Sequence, residues 1–380
     1  GSATAVVEFE NIEYIIGGSG ADTLVGPEAD AGWDLSGPNA GDVAGITYAE
    51  IENLVGGSGA DTFLFAGGSA VGVHGGAGVD ALDYSAYFTD LTIDLAASTA
   101  PDLGSFSGIE TILSGSGADW IIGPEVDATW DLTGLDSGSV AGVSFVGVEN
   151  LAGGLGGDEF FLAGGSLSGV ISGGGGDDLL SGPDMDSTWS LTGPDAGSIA
   201  GIPFSQIENL FGGSGADTFL FAGGTIGSID GGAGVDTLDY SGYLTSVMVD
   251  LTTGSASDVG YVTNIEMVIG GSGADTLVGP AADATWNVTG LDIGSVAGVY
   301  FTSMENLTGS IHADTFVMEG GDLSGMISGG EGDDGLIGPE ADSTWYITGP
   351  NAGSLAGMPF INIENLFGAM GADSYLFAGG

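Results

Sequence analysis

Twelve aspartates set the chemistry open to this chain. Each closes a turn of the form G-G-x-G-x-D, or a degraded copy of it, followed by x-apolar-x. The first is Gly17-Gly18-Ser19-Gly20-Ala21-Asp22-Thr23-Leu24-Val25, and the Asp recurs at Asp61, Asp80, Asp119, Asp158, Asp178, Asp217, Asp236, Asp275, Asp314, Asp334 and Asp373. Glycine permits φ > 0 and lets turn carbonyls converge, while the carboxylate adds a hard anionic oxygen; Ca²⁺ takes roughly six to eight such oxygens. One turn cannot supply them, but two stacked turns can. Spacing names the stacked turns: Asp61 with Asp80, Asp158 with Asp178, Asp217 with Asp236 and Asp314 with Asp334 lie 19 or 20 residues apart, whereas Asp22, Asp119, Asp275 and Asp373 are isolated. Carboxylates ~4.8 Å apart repel by about 0.9 kcal/mol in water and about 3.5 kcal/mol at an effective dielectric of ~20. A bridging cation reverses that sign. The competing use of the same side chain is to cap its own turn through backbone N–H groups.

Little else in the chain can do chemistry. It has 52 Asp plus Glu, two His and no Lys or Arg, for a formal charge of −52. Phosphate recognition runs on Lys and Arg, so nucleic acid is excluded as a partner, and an anionic membrane surface fails for the same reason. No apolar run reaches the ~18 residues of a membrane span, so no membrane insertion is expected. Cysteine is absent, which removes disulfides and thiolate metal sites. An enzyme needs a proton shuttle, nucleophile or cationic stabiliser. His74 occupies the place of Asp230 in the next copy and His312 that of Gly156, so both read as turn substitutions, and no carboxylate pair is singled out from the repeat. No enzyme is expected. The sequons Asn287-Val288-Thr289 and Asn306-Leu307-Thr308 are acceptor patterns for glycosylation. The Thr after the motif Asp, as at Thr23, Thr62, Thr218, Thr276 and Thr315, is too sparse for an ice-binding row.

These turns need an element that repeats them in register. Ile51-Glu52-Asn53-Leu54 returns at Ile207 to Leu210 and at Ile363 to Leu366, an interval of 156 each time that also relates Trp33 to Trp189 and Trp345. Within it, segments starting at 51, 71, 91, 109, 129, 148, 168 and 188 are 18 to 20 residues long, each with two short β-type runs between Gly-, Ser-, Asp- and Pro-rich corners. The segments at 91, 129 and 188 lack the acidic turn. With 77 glycines spread along the chain, helix is disfavoured by about 0.5–1 kcal/mol per interior Gly. The reading is an all-β parallel β-solenoid of about 19–20 residues and two short strands per coil, eight coils per 156-residue super-repeat. It divides as 1–54 (partial repeat), 55–210 and 211–366 (full super-repeats) and 367–380 (start of the next), one continuous solenoid. Stacked at the ~4.8 Å strand spacing, its coils make a rod on the order of 90 Å. Period-two alternation turns Phe63, Phe65, Leu91, Ile93 and Leu95 inward, and Trp33, Trp130, Trp189, Trp286 and Trp345 read as core rather than as a sugar-stacking ladder. Trp120, whose repeat partner is Thr276, reads as outward-facing.

The turn phrase resembles the RTX, or haemolysin-type, nonapeptide G-G-x-G-x-D-x-U-x, and phrases such as Gly147-Val148-Glu149-Asn150-Leu151 resemble repeat arrays of giant bacterial surface proteins. The resemblance implies a parallel β-roll with Ca²⁺ in its turns. Here the motif occurs at most once per coil, so any calcium row is one-sided and interrupted. The copies at Gly309-Ser310-Ile311-His312-Ala313-Asp314 and Gly368-Ala369-Met370-Gly371 have lost glycines. The expected role is an extracellular or cell-surface rod or filament of bacterial origin. It would belong to a longer chain or to an end-to-end or lateral self-assembly, with other cell-surface or matrix components as further partners. The alternative is a calcium-stiffened stalk of a surface adhesin.

Overall fold

A computed structural model describes residues 12–377, which divide between two compact units, Gly1–Leu179 and Leu180–Gly380. Every regular element among the described residues is a β-strand. The first unit opens with Tyr14–Ile16 (β1), Thr23–Val25 (β2), Gly32–Gly37 (β3), Ala40–Val43 (β4), Ile46–Ala49 (β5), Asn53–Gly57 (β6), Thr62–Phe65 (β7), Ala70–Gly76 (β8) and Ala81–Asp83 (β9). β2, β6 and β8 stack in parallel, Leu24 beside Leu54 and Leu54 beside Val73. A second parallel column runs through β3, β7 and β9, with Trp33 beside Phe63 and Phe63 beside Leu82. This is a parallel β-solenoid, as the spacing predicts.

The segments without acidic turns depart from a simple two-strand winding. β3, β4 and β5 form an antiparallel meander, Trp33 opposite Val43 and Val43 opposite Ile46, and β5 rejoins the parallel stack with Tyr48 beside Ile15. The first unit has a second meander in Thr129–Gly134, Ser137–Val140 and Val143–Val146. A looser version joins Thr92–Asp94 to Leu103–Ser107 through the bridges Asp94 to Thr99 and Ala100 to Leu103. In the second unit, meanders begin at Thr188, Thr285 and Thr344, with a looser one at Met248. The second turn of each regular meander is an exposed Ala-Gly pair with both residues at positive φ, Ala44 at 52° and Gly45 at 80°, Ala200 at 48° and Gly201 at 88°. That is the signature of a two-residue type I′ hairpin, whose twist matches that of the strands it joins. Ala-Gly is not a common hairpin dipeptide, so the sequence gives this turn little prominence.

The core follows the alternation. Phe63, Phe65 and Ile93 have no exposed surface and Leu91 is buried. Leu95 is half-buried, because the strand ends at Asp94 and the chain turns away. The five predicted core tryptophans are all buried, each stacked on the aromatic ring of the next winding: Trp33 on Phe63 at 5.4 Å, Trp130 on Phe160 at 5.4 Å, Trp189 on Phe219 at 5.6 Å, Trp286 on Phe316 at 5.3 Å and Trp345 on Tyr375 at 5.7 Å. None is available to stack on a sugar. Trp120 is half-buried in the outward register, between Thr92 and Asn150.

Candidate functional site

The motif aspartates point into the protein. Asp61, Asp80, Asp119, Asp158, Asp178, Asp217, Asp236, Asp275 and Asp334 have no exposed surface, Asp314 is also buried, and Asp22 and Asp373 are half-buried. Burial of an ionised carboxylate requires hydrogen bonds or a counter-charge, and backbone amides supply most of what is needed.

The four predicted pairs do stack. Within each pair the amide of the first Asp donates to Oδ1 of the second at 2.7 Å: Asp61 to Asp80, Asp158 to Asp178, Asp217 to Asp236 and Asp314 to Asp334. The first Asp in turn accepts from the winding before it, Asp61 Oδ1 from Ala31 N at 2.9 Å and Asp217 Oδ1 from Ser187 N at 2.9 Å. Capping therefore runs between windings, not only within a turn.

Two further groups of residues belong to this arrangement, and neither was legible as such in the sequence. A Glu that follows an Ile, at Ile109-Glu110, Ile265-Glu266 and Ile363-Glu364, ends three of the runs of Asp: Asp80 N donates to Glu110 Oε2 at 2.9 Å, Asp236 N to Glu266 Oε2 at 3.0 Å and Asp334 N to Glu364 Oε2 at 2.9 Å. The isolated turns are closed the same way, Asp22 by Glu52, Asp119 by Glu149 and Asp275 by Glu305. Where Asn follows that Glu, its side-chain amide grips the carbonyl of the same Asp, as Asn53 does at Asp22, Asn150 at Asp119 and Asn306 at Asp275. Asn306 also accepts from Met326 N, so this sequon amide is engaged in the fold. The second group is the Asp of the G-P-x-x-D corner. Ala60 N donates to Asp30 Oδ1 while Ala31 N donates to Asp61 Oδ1, a reciprocal clasp between windings that recurs at Asp127 with Asp158, Asp186 with Asp217 and Asp283 with Asp314. The sequence signal is a fixed separation from the motif Asp, 30 residues for the Glu, as from Asp22 to Glu52, and 31 for the corner Asp, as from Asp30 to Asp61.

The second carboxylate oxygen divides the turns into two kinds. In isolated turns it is capped locally: Asp22 Oδ2 accepts from Gly18 N, Asp119 Oδ2 from Ser114 Oγ and Gly115 N, and Asp275 Oδ2 from Gly271 N. Asp314, although paired, is capped in the same way by Ser310 N at 2.7 Å. In Asp61, Asp80, Asp158, Asp217, Asp236 and Asp334, Oδ2 is buried with no hydrogen-bond partner. Burial pushes all six carboxyls upward, with neighbouring carboxylates adding to the shift against the pull of backbone N–H groups, and Asp158 and Asp217 reach about 6. An orphaned, buried carboxylate oxygen fits a hard cation, so the paired turns at Asp61/Asp80 and Asp217/Asp236 suit Ca²⁺. The isolated turns of Asp119 and Asp275 do not, because both carboxylate oxygens of each already accept hydrogen bonds. Among the described residues no three His, Asp or Glu side chains converge on one point. An ion at a paired turn would thus draw on backbone carbonyls for the rest of its shell.

The two histidines differ in their relation to this arrangement. His312 lies in its turn, 4.0 Å from Asp283. His74 lies on β8 rather than in a turn, its ring against the hydroxyl and carbonyl of Ser107, because the equivalent Asp230 is itself the last residue of a strand.

Residues 225–377 match the family model described as Peptidase M10 serralysin C terminal. No curated protein matches the chain. The matched stretch contains the acidic turns of Asp236, Asp275, Asp314, Asp334 and Asp373. Turn chemistry, strand register and this match agree that the chain carries RTX-like repeats wound as an all-β parallel solenoid.

Proposed function

We propose that the chain is a structural repeat segment of an extracellular bacterial protein, serving as a long rod or filament within a longer chain or an end-to-end assembly. The observation that carries this reading is the use made of the reactive side chains: the buried motif Asp and the Glu that closes a run, such as Glu110, accept backbone N–H groups of a neighbouring winding. Groups held this way hold windings together and are withdrawn from substrate. With a charge of −52 the chain favours solubility, and with no Lys or Arg it offers trypsin-like proteases no site. Its partners would be further copies of itself or cell-surface and matrix components.

The second reading, a calcium-stiffened adhesin stalk, is favoured by the orphaned Oδ2 atoms of the paired turns and by the match to the serralysin C terminal. Electron micrographs of the purified chain, with melting measured with and without chelator, separate the two. The first reading expects ordered end-to-end assemblies. The second expects monomeric rods whose melting temperature falls steeply on chelation, and compact particles without extension would contradict both.

A further inference from the structure

The difference between capped and orphaned Oδ2 tracks one backbone torsion. Four residues before each motif Asp stands the second residue of the motif, the donor in every locally capped turn. In the orphaned turns that residue has positive φ: Gly57 at 156°, Gly76 at 116°, Gly154 at 146°, Gly213 at 118°, Gly232 at 92° and Gly330 at 103°. In the capped turns Gly18, Gly115, Gly271 and Ser310 do not. The positive φ turns the amide out of line with Oδ2. Non-glycine residues resist it, and Ser310 replaces the glycine at the one paired turn, Asp314, whose Oδ2 is capped. Stacking alone does not set the torsion, because Ser310 O still accepts from Glu331 N of the next turn just as Gly213 O accepts from Ala233 N.

We infer that the second motif residue selects between two uses of one turn: with positive φ it leaves a buried carboxylate oxygen for a divalent cation, and otherwise its amide takes the cation's place. The self-capped turns of Asp119, Asp275 and Asp314 are then cation-free staples, and binding is confined to turns such as those of Asp61, Asp80, Asp217 and Asp236. The inference rests on the cation reading of these RTX-like turns.

The test is calcium bound per folded chain, from equilibrium dialysis with elemental analysis, on the whole protein. Asp119→Asn and Asp275→Asn should leave it unchanged, Asp217→Asn should lower it, and Ser310→Gly should raise it. Asn retains an acceptor for the winding contact, and circular dichroism checks that each variant is folded. Loss of calcium from Asp119→Asn equal to that from Asp217→Asn, or no gain from Ser310→Gly, overturns the inference. So does a wild-type chain that binds no calcium, a result that leaves the structural-rod reading standing because that reading is judged in micrographs.

Discussion

A buried oxygen is stable when something answers it, and single residues here can be judged by that rule. The Tyr48 hydroxyl is buried without a partner, beneath Gly41, where an added Cβ would lie 2.7 Å from it. The equivalent ring in the other meanders is Phe145, Phe204, Phe301 and Phe360, each edge-on to its Trp as Tyr48 is to Trp33. Tyr48→Phe should therefore stabilise the fold by about 1 kcal/mol, the cost of an unanswered buried hydroxyl, seen as a higher denaturant midpoint. The acidic turns give a pH dependence. Burial raises Asp158 and Asp217 from 3.8 to about 6, so the folded chain binds these protons more tightly than the unfolded chain. Their stabilisation is full below about 3.8 and is lost as pH rises through about 6. With divalent ions chelated, the melting temperature should be higher at pH 5 than at pH 7, and Asp158→Asn with Asp217→Asn should flatten the difference. The motif Asp were legible because their glycines repeat with them. The Glu that closes each run was not, since a lone surface-type Glu in Ile-Glu-Asn-Leu reads as solvated until its partner 30 residues earlier is known.

At the scale of the element, the same Glu limits the length of each carboxylate run. Glu266→Ala leaves the Asp236 amide without its acceptor and should cost about 1–3 kcal/mol, whereas Glu266→Gln keeps an acceptor oxygen and should cost much less. Urea denaturation of the two variants side by side checks the order. The meanders make a second case. Ala200 sits at φ 48° in a type I′ turn, a conformation that Asn tolerates better than Ala. Ala200→Asn should stabilise by about 0.5–1 kcal/mol in the same measurement. Strand content and inward faces were legible at this scale, because Phe63 and Phe65 alternate with polar or outward residues. The antiparallel meanders were not, because Val-Ala-Gly-Val lacks an Asn-Gly or Asp-Gly pair and a short apolar run does not state which way its neighbour runs.

For the whole molecule, the 156-residue interval that relates Trp33, Trp189 and Trp345 in the sequence reappears as the same ring stacked in the same way in both compact units. All-β winding was legible from that interval because each winding contacts its neighbours and stability is close to a sum of local terms. What the interval could not state is how a chain of charge −52 with no Lys or Arg keeps many carboxylates inside. The structure answers with backbone amides, placed there by glycine turns. The most direct test is native-state hydrogen exchange with calcium chelated, read at the amides of Ala31, Asp61, Asp80, Asp119, Asp217 and Asp236. All six lie in or beside glycine-rich turns, where exchange is ordinarily fast, and all six donate to a carboxylate of a neighbouring winding. The account predicts protection comparable to the strand amides of Phe63 and Phe219. Exchange at the rate of open turns would contradict it.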